Sequence, residues 1–425
     1  MKRRFLSVYT LLCFFVIASC SSNDNEIEKP IEEVVLADEV EVYVADKLEN
    51  SVALIVKNGG ESSFLVDKKG EILKVWDFEI ALGNDLELLP DGRLLGIFKA
   101  SNLSFSFGGF GGIVRIINVD GSIDWEFNYY SENYLAHHDV EMLPNGNVLI
   151  IVWERVLALD AKNMGIEVDS DVYTESLIEV NPKNNQIVWE WHSIDHLVQD
   201  IDSNLPNYGF VKDNPQLINH NYVKRDNGDI MHANGIDYDP VKDLIYMSIN
   251  FYSEVWVIDH STTTSESSTH KGGSYNKGGD LIYRFGNPEA YNNTVGKRLF
   301  YNNHFPNFLE QDEVGAGNVL VFNNNYEAEQ STVHEFKMPD NFELIADSDN
   351  EPQEIWSFTD PNLYNVRISG AVRLKNGNTL ICEGDYGIWE VTPQNEVVWK
   401  YNSEGNFWRA YNYLFTDSEI INLKL

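Results

Sequence analysis

The sequence predicts an all-β protein, a six-bladed β-propeller in which one blade is closed by strands from both ends of the chain. Three observations predict it. An aromatic strand pattern recurs six times, a hairpin pattern recurs in step with it, and the strands missing from the last unit lie near the N-terminus. The aromatic copies are Trp76-Asp77-Phe78, Trp125-Glu126-Phe127, Trp189-Glu190-Trp191, Tyr283-Arg284-Phe285, Trp356-Ser357-Phe358 and Trp399-Lys400-Tyr401. Two rings flank one polar residue in each, so strand alternation puts both rings on one face. After each copy comes a strand start, then a turn such as "LPNGN" at 143–147, then an apolar run: "NDLELLPDGRLLGIF" from Asn84, "HHDVEMLPNGNVLIIVWE" from His137, "SGAVRLKNGNTLICEG" from Ser369. A turn of this kind between alternating hydrophobics is a hairpin signal.

A repeat of about four strands predicts blades around a channel rather than a sandwich. After Trp399 the chain "NFWRAYNYLFTDSEIINLKL" supplies inner strands only, whereas "SVALIVK", "SSFLVD" and "EILKVWDF" near the N-terminus supply outer ones. Joining them closes the ring and removes exposed sheet edges. Two insertions interrupt the spacing, one at about 192–230 and a Gly/Ser-rich one from His260.

The chain is expected to divide into residues 1–19, 20–40 and 41–425. "MKRR" followed by "FLSVYTLLCFFVIAS" is a basic segment and an apolar run shorter than a membrane span of about 20 residues. It ends at Cys20, and the whole resembles a bacterial lipoprotein signal with Cys20 acylated; the rival reading is a secretory signal with an incidental cysteine. "SSNDNEIEKPIEE" then reads as an acidic tether, similar to the signals that carry some lipoproteins to the outer surface. The expectation is therefore an exported, lipid-anchored protein of the cell envelope. Cys382 has no partner once Cys13 and Cys20 are accounted for, so the fold relies on its core rather than on disulfides. The net charge of −35 becomes more negative when Lys2, Arg3 and Arg4 leave with the signal, and such a field opposes binding to nucleic acid or anionic lipid.

Residues at the starts of the innermost strands gather at one mouth of a propeller channel. Aligning the strands on their turns gives Asn84, His138, His304 and Ser369, with Asn234 in the intervening unit and His232 two residues before it; the last blade offers Arg409. Imidazoles, amides, a hydroxyl and a guanidinium around one opening point to a binding or catalytic site. His137 is expected to point away from His138 by strand alternation, and His196 and His260, in or beside the insertions, read as structural. No Cys-x-x-Cys spacing is present, and neither a metal nor another cofactor is expected.

"HANGIDYDPVKDLIYMSINFYSEVWVIDHSTT", "DLIYRFGNP", "GAGNVLVFNN" and "ISGAVRLKNGNTLICEGDYGIWEVTPQNEVVW" resemble the bacterial arylsulfate sulfotransferases, six-bladed propellers of the envelope. The resemblance implies nucleotide-independent sulfuryl transfer from a phenolic sulfate ester to a phenolic acceptor, by ping-pong chemistry through a sulfated histidine. His232 matches the family's His-x-Asn strand start and His304 a later channel histidine. The family's sulfated histidine lies on a further blade, where Ser369 stands here, and its channel arginine is replaced by "VFNNN"; Arg409 or Arg284 is the available substitute. Either His304 or His232 is then the nucleophile, assisted by His138, Asn234 and Arg409, or the transfer activity is altered or lost. The competing expectation is a surface lipoprotein that binds a sulfated or aromatic ligand without turnover; a third is a protein-interaction scaffold.

Overall fold

The computed structural model describes residues 35–425. The signal segment, Cys20 and most of the acidic tether lie outside the described residues.

Six antiparallel sheets form the six blades. Blade 1 takes its innermost strand, Phe407–Leu414, from the C-terminal end and its outer three, Ser51–Lys57, Ser62–Asp67 and Ile72–Asp77, from the N-terminal end. The two segments pair from Ser51 opposite Leu414 to Lys57 opposite Phe407. Blades 2 to 6 follow in chain order, with inner strands Leu82–Leu88, Tyr134–Met142, Ala233–Asp239, Asn303–Phe308 and Gly370–Arg373. Every aromatic triplet of the sequence falls in or at the end of a fourth strand. Blade 6 carries an addition that the repeats do not announce: Val40–Tyr43 pairs outside Val397–Asn402 as a fifth strand. It covers an edge that would otherwise present unpaired backbone groups.

The core is distributed between blades. Leu149, Ile151, Trp189 and Trp191 of blade 3 meet Ile236, Ile245, Met247 and Trp256 of blade 4 in one buried cluster. Each such side chain contributes roughly 1.5–3 kcal/mol relative to exposure. Cys382 lies within the core and has no disulfide partner among the described residues.

One irregularity recurs. In five of the six inner strands the register with the second strand slips near the same level: at Leu82/Leu86, within 136–140, at Ala233/Gly235, at His304/Pro306 and opposite Val56/Lys57. A bulge lets two consecutive residues face the same way. Within bulged strands His138 and Phe305 hold φ of 56° and 47°, and His232 and Ser369, each just before an inner strand, hold 58° and 111° although none of the four is glycine. Such conformations persist only where the surroundings enforce them.

The two insertions lie beside blade 4. Residues 193–232 carry the single turns Ser193–His196 and Val211–Asp213. Residues 260–282 carry the short helix Thr264–Ser267, whose N-terminus is closed by reciprocal Thr263 and Glu266 bonds.

Candidate functional site

The bulges sort the channel into three levels. The upper level holds His138, His232 and His304, as the sequence alignment of strand starts anticipates. The His138 and His232 rings lie 4.8 Å apart, and His138 and His304 lie 5.6 and 6.0 Å from the ring of Trp408. Imidazoles from blades 3, 4 and 5 therefore meet around one tryptophan of blade 1.

Each histidine presents a different face. Asn324 donates its amide hydrogens to the carbonyls of Asn365 and Ile368, at 2.7 and 2.8 Å, which turns its oxygen toward His304 Nδ1 at 2.6 Å. His304 therefore carries its proton on Nδ1 and a lone pair on Nε2. Burial drives its pKa down to about 3, so the ring is neutral through the ordinary pH range. His232 donates from Nδ1 to Asp229 Oδ2 at 2.6 Å, with the carboxylate itself buried. The arrangement orients the ring and stabilises a positive charge arriving on it.

His138 ends a relay. His137 Nδ1 lies 2.7 Å from His138 Nδ1, and His137 Nε2 lies 2.9 Å from Glu175 Oε2. The bulge breaks the alternation that would have turned His137 away. Burial pushes Glu175 well above, and both histidines well below, their usual values. The proton thus rests on Glu175, which donates to His137; His137 donates to His138; and His138 exposes Nε2–H. His137 stacks on Trp153, with ring centroids 3.6 Å apart, which holds the relay in place.

A loop rich in glycine and phenylalanine covers this level. His138 N donates to Gly109 O at 2.9 Å, and Phe105 and Phe107 anchor the loop on Tyr173. Gly109 has φ of +77°, and a Cβ there would lie 2.1 Å from His138 Nε2, so only glycine lets the loop pack this close to that ring. His138 and His304 are 3% exposed, whereas 17% of the His232 side chain reaches solvent. Access therefore runs past His232. Phe251 stacks on His232 at 4.7 Å, and the Arg225 guanidinium sits 3.8 Å over the Phe251 ring.

The middle level is a plug. Arg409 bonds Asp85 at 3.3 Å, Asp139 at 2.9 Å and the Asn234 carbonyl at 3.1 Å, and stacks 3.8 Å over Phe305. Its charge is thus matched by two carboxylates. Burial, then the neighbouring Asp139, pushes Asp85 up to about 7 despite the guanidinium. Arg409 is a buried floor rather than a free cation for a substrate. Arg284 is farther away still: it lies in the fourth strand of blade 4, fully buried and bonded through Nε to Glu254 at 2.9 Å.

Below the plug, alternation brings Glu87, Glu141, Asp237, Asn307, Arg373 and Tyr411 around a chamber of about 260 Å³. Burial raises Glu87 and Glu141 well above the carboxylate range and Asp237 to about 7. This end of the channel is lined mainly by carboxyl groups rather than imidazoles. The chemistry-bearing groups are at the other end.

Of the remaining expected residues, Asn234 donates its amide to Asn303 O at 2.9 Å and bridges blades 4 and 5. Asn84 donates to Asn58 Oδ1 at 3.3 Å, and Ser369 Oγ accepts from Gly384 N at 3.1 Å. These bonds serve loops around the mouth, and none of them reaches a histidine. Asn324, Asp229, Glu175, Trp408 and Gly109 were not singled out by the sequence reasoning. Asn324 lies in "VFNNN", the segment that stands where the family has its channel arginine.

The fold places the chain among the six-bladed β-propellers, and the family follows from sequence comparison. A model of the family described as Arylsulfotransferase (ASST) matches residues 38–409. The chain belongs to the arylsulfotransferase family, whose members carry out aryl sulfotransfer. No curated protein matches the chain. Among solved structures it is similar to a Bacteroides fragilis protein described as a candidate 6-phosphogluconolactonase, at 11% identity and TM-score 0.44, covering 86% of this chain and 98% of that one. It is also similar to the WD40 domain of Toxoplasma gondii coronin, at 7% identity and TM-score 0.41, covering 88% and 73%. Neither likeness carries a functional argument.

Proposed function

We propose that this protein transfers the sulfuryl group of a phenolic sulfate ester to a phenolic acceptor through a covalent intermediate on His304. The observation that carries the reading is the Asn324–His304 bond, which leaves a neutral imidazole with its Nε2 lone pair unprotonated. In the first step Nε2 attacks sulfur, the bond from sulfur to the aryl oxygen breaks, and the leaving phenolate takes a proton from His232. In the second, His232 accepts the proton of the incoming phenol, whose oxygen attacks sulfur and breaks the N–S bond. Asp229 stabilises His232 whenever it is cationic. The Nε2–H of His138 and the indole N–H of Trp408, which has no partner among the described residues, are donors for the sulfuryl oxygens as charge builds there. Asn234 and Arg409 hold the mouth and its floor. The acidic tether and Cys20 support an exported protein anchored to the envelope membrane by lipid.

The test is phenolate release from a chromogenic aryl sulfate in the presence of a second phenol. Release and sulfated acceptor are expected from the wild type; release no greater than that of a His232→Ala, His304→Ala double variant would reject the assignment. A ligand-binding propeller without turnover is the second reading, favoured by Ser369 standing where the family has its sulfated histidine. It predicts saturable binding of the aryl sulfate with no product.

A further inference from the structure

We infer that His196, His270 and Asp280 form a transition-metal site, suited to Zn²⁺, that fastens the two insertions beside blade 4 to each other. One ligand atom from each residue lies within 4.8 Å of the other two. His196 comes from the first insertion, His270 and Asp280 from the second. No spacing in the sequence could have signalled this set.

The hydrogen bonds around His196 point to a cation. Its Nε2 lies 2.8 Å from the Ser267 carbonyl oxygen, and a carbonyl only accepts, so Nε2 carries hydrogen. In the neutral ring Nδ1 then holds a lone pair. That atom faces Asp280 Oδ1 at 2.9 Å, and an ionised carboxylate also offers only lone pairs. The same oxygen lies 2.7 Å from His270 Nδ1. Either a proton or a metal ion must therefore lie between these atoms. A histidine that donates its second nitrogen to a backbone carbonyl is the usual outer support of a metal ligand, because that bond fixes the tautomer and aims the lone pair.

The pocket is built for that arrangement. His196 is fully buried and parallel to Trp191, at 7° between planes, and Trp191 Nε1 donates to Gly279 O at 2.7 Å. A Cβ on Gly279 would fall 2.0 Å from Ser267 O and 2.4 Å from His196 Nε2, so only glycine permits the close approach. Metal–ligand bonds of about 2.0–2.1 Å at tetrahedral angles separate ligand atoms by roughly 3.3 Å. Two edges of the triangle need to open by about half an ångström, and the His270 side chain, 60% exposed, is free to move that far. Its exposure also leaves a fourth position to water. Two imidazoles and one carboxylate suit Zn²⁺; an all-oxygen preference excludes Ca²⁺.

The experiment uses the tag-free mature protein, stripped with chelator and titrated with Zn²⁺ against a chromophoric indicator. The wild type is expected to bind one equivalent, to gain thermal stability on doing so, and to give the visible bands of tetrahedral Co²⁺. His270→Ala, at an exposed position that leaves the fold intact by circular dichroism, is expected to weaken binding at least tenfold and abolish the thermal gain. Asp280→Asn is expected to do the same. Equal affinity in wild type and His270→Ala, or no binding by the wild type, overturns the inference and gives the His196–Asp280 contact to a proton.

Discussion

Lowering the pH from about 7 to about 5 separates a buried histidine nucleophile from an ordinary one. The His304 pKa of about 3, against an ordinary value of 6.5, means that burial disfavours its imidazolium by about 5 kcal/mol. At pH 5 roughly one ring in a hundred is then protonated, and the neutral fraction is essentially that at pH 7. A histidine with the ordinary pKa would lose about 25-fold in neutral fraction over the same interval. The assay is the burst of phenol formed in a single turnover with a nitrophenyl sulfate, quenched into base so that detection is independent of reaction pH. An activated leaving group needs little protonation by His232, which isolates the attack. Asp85 titrates near 7 at the floor of the site, so the Asp85→Asn variant is measured alongside. A burst rate within twofold across the interval is expected in both proteins. A fall of an order of magnitude or more, with folding unchanged, would refute the reasoning about His304.

Three further outcomes follow from the same geometry. Asp229→Asn should lower kcat by about 10²–10⁴-fold for an unactivated phenyl sulfate, with KM nearly unchanged and much less effect on a nitrophenyl donor. Gly109→Ala should cost roughly 1–3 kcal/mol and at least tenfold in turnover, read from thermal melts and steady-state rates, because its Cβ collides with His138. The pH dependence of stability should be inverted relative to a typical globular protein. The depressed pKa values of His137, His138 and His304 cost stability only as pH falls below about 6.5, where the unfolded chain takes up protons. The raised carboxyls work oppositely and are more numerous: Asp85, Asp237 and Glu313 titrate at about 7 and Glu351 at about 8, with Glu87 and Glu141 also raised. Their contribution is complete below about pH 4 and is lost as pH rises through those values. The thermal midpoint is expected to climb as pH is lowered from 7 toward 5, and a fall over that interval would show that these groups are ionised in the folded state.

The ring was legible in the sequence because each blade repeats a two-residue alternation and a turn at the same point. The aromatic triplets marked the fourth strands, and the turns marked the inner ones. The strand starts also located His138, His232 and His304, since position along an inner strand sets height in the channel. What sequence could not convey was the bulge. It adds one or two residues to the inner strand, turns His137 into a partner of His138, and sets Arg409 between Asp85 and Asp139 rather than beside a substrate. Asn324 was hidden for a related reason: it acts across the start of the next blade, at a separation that no local pattern encodes. His196, His270 and Asp280 are hidden still more deeply, since irregular insertions bring them together.

The most direct test is to quench the protein after a single exposure to aryl sulfate without acceptor and map the modified residue by mass spectrometry under conditions that preserve N–S bonds. One sulfuryl group on His304, removed on adding a phenol, is the expected result. Sulfation of another residue, or none during demonstrable turnover, would contradict it.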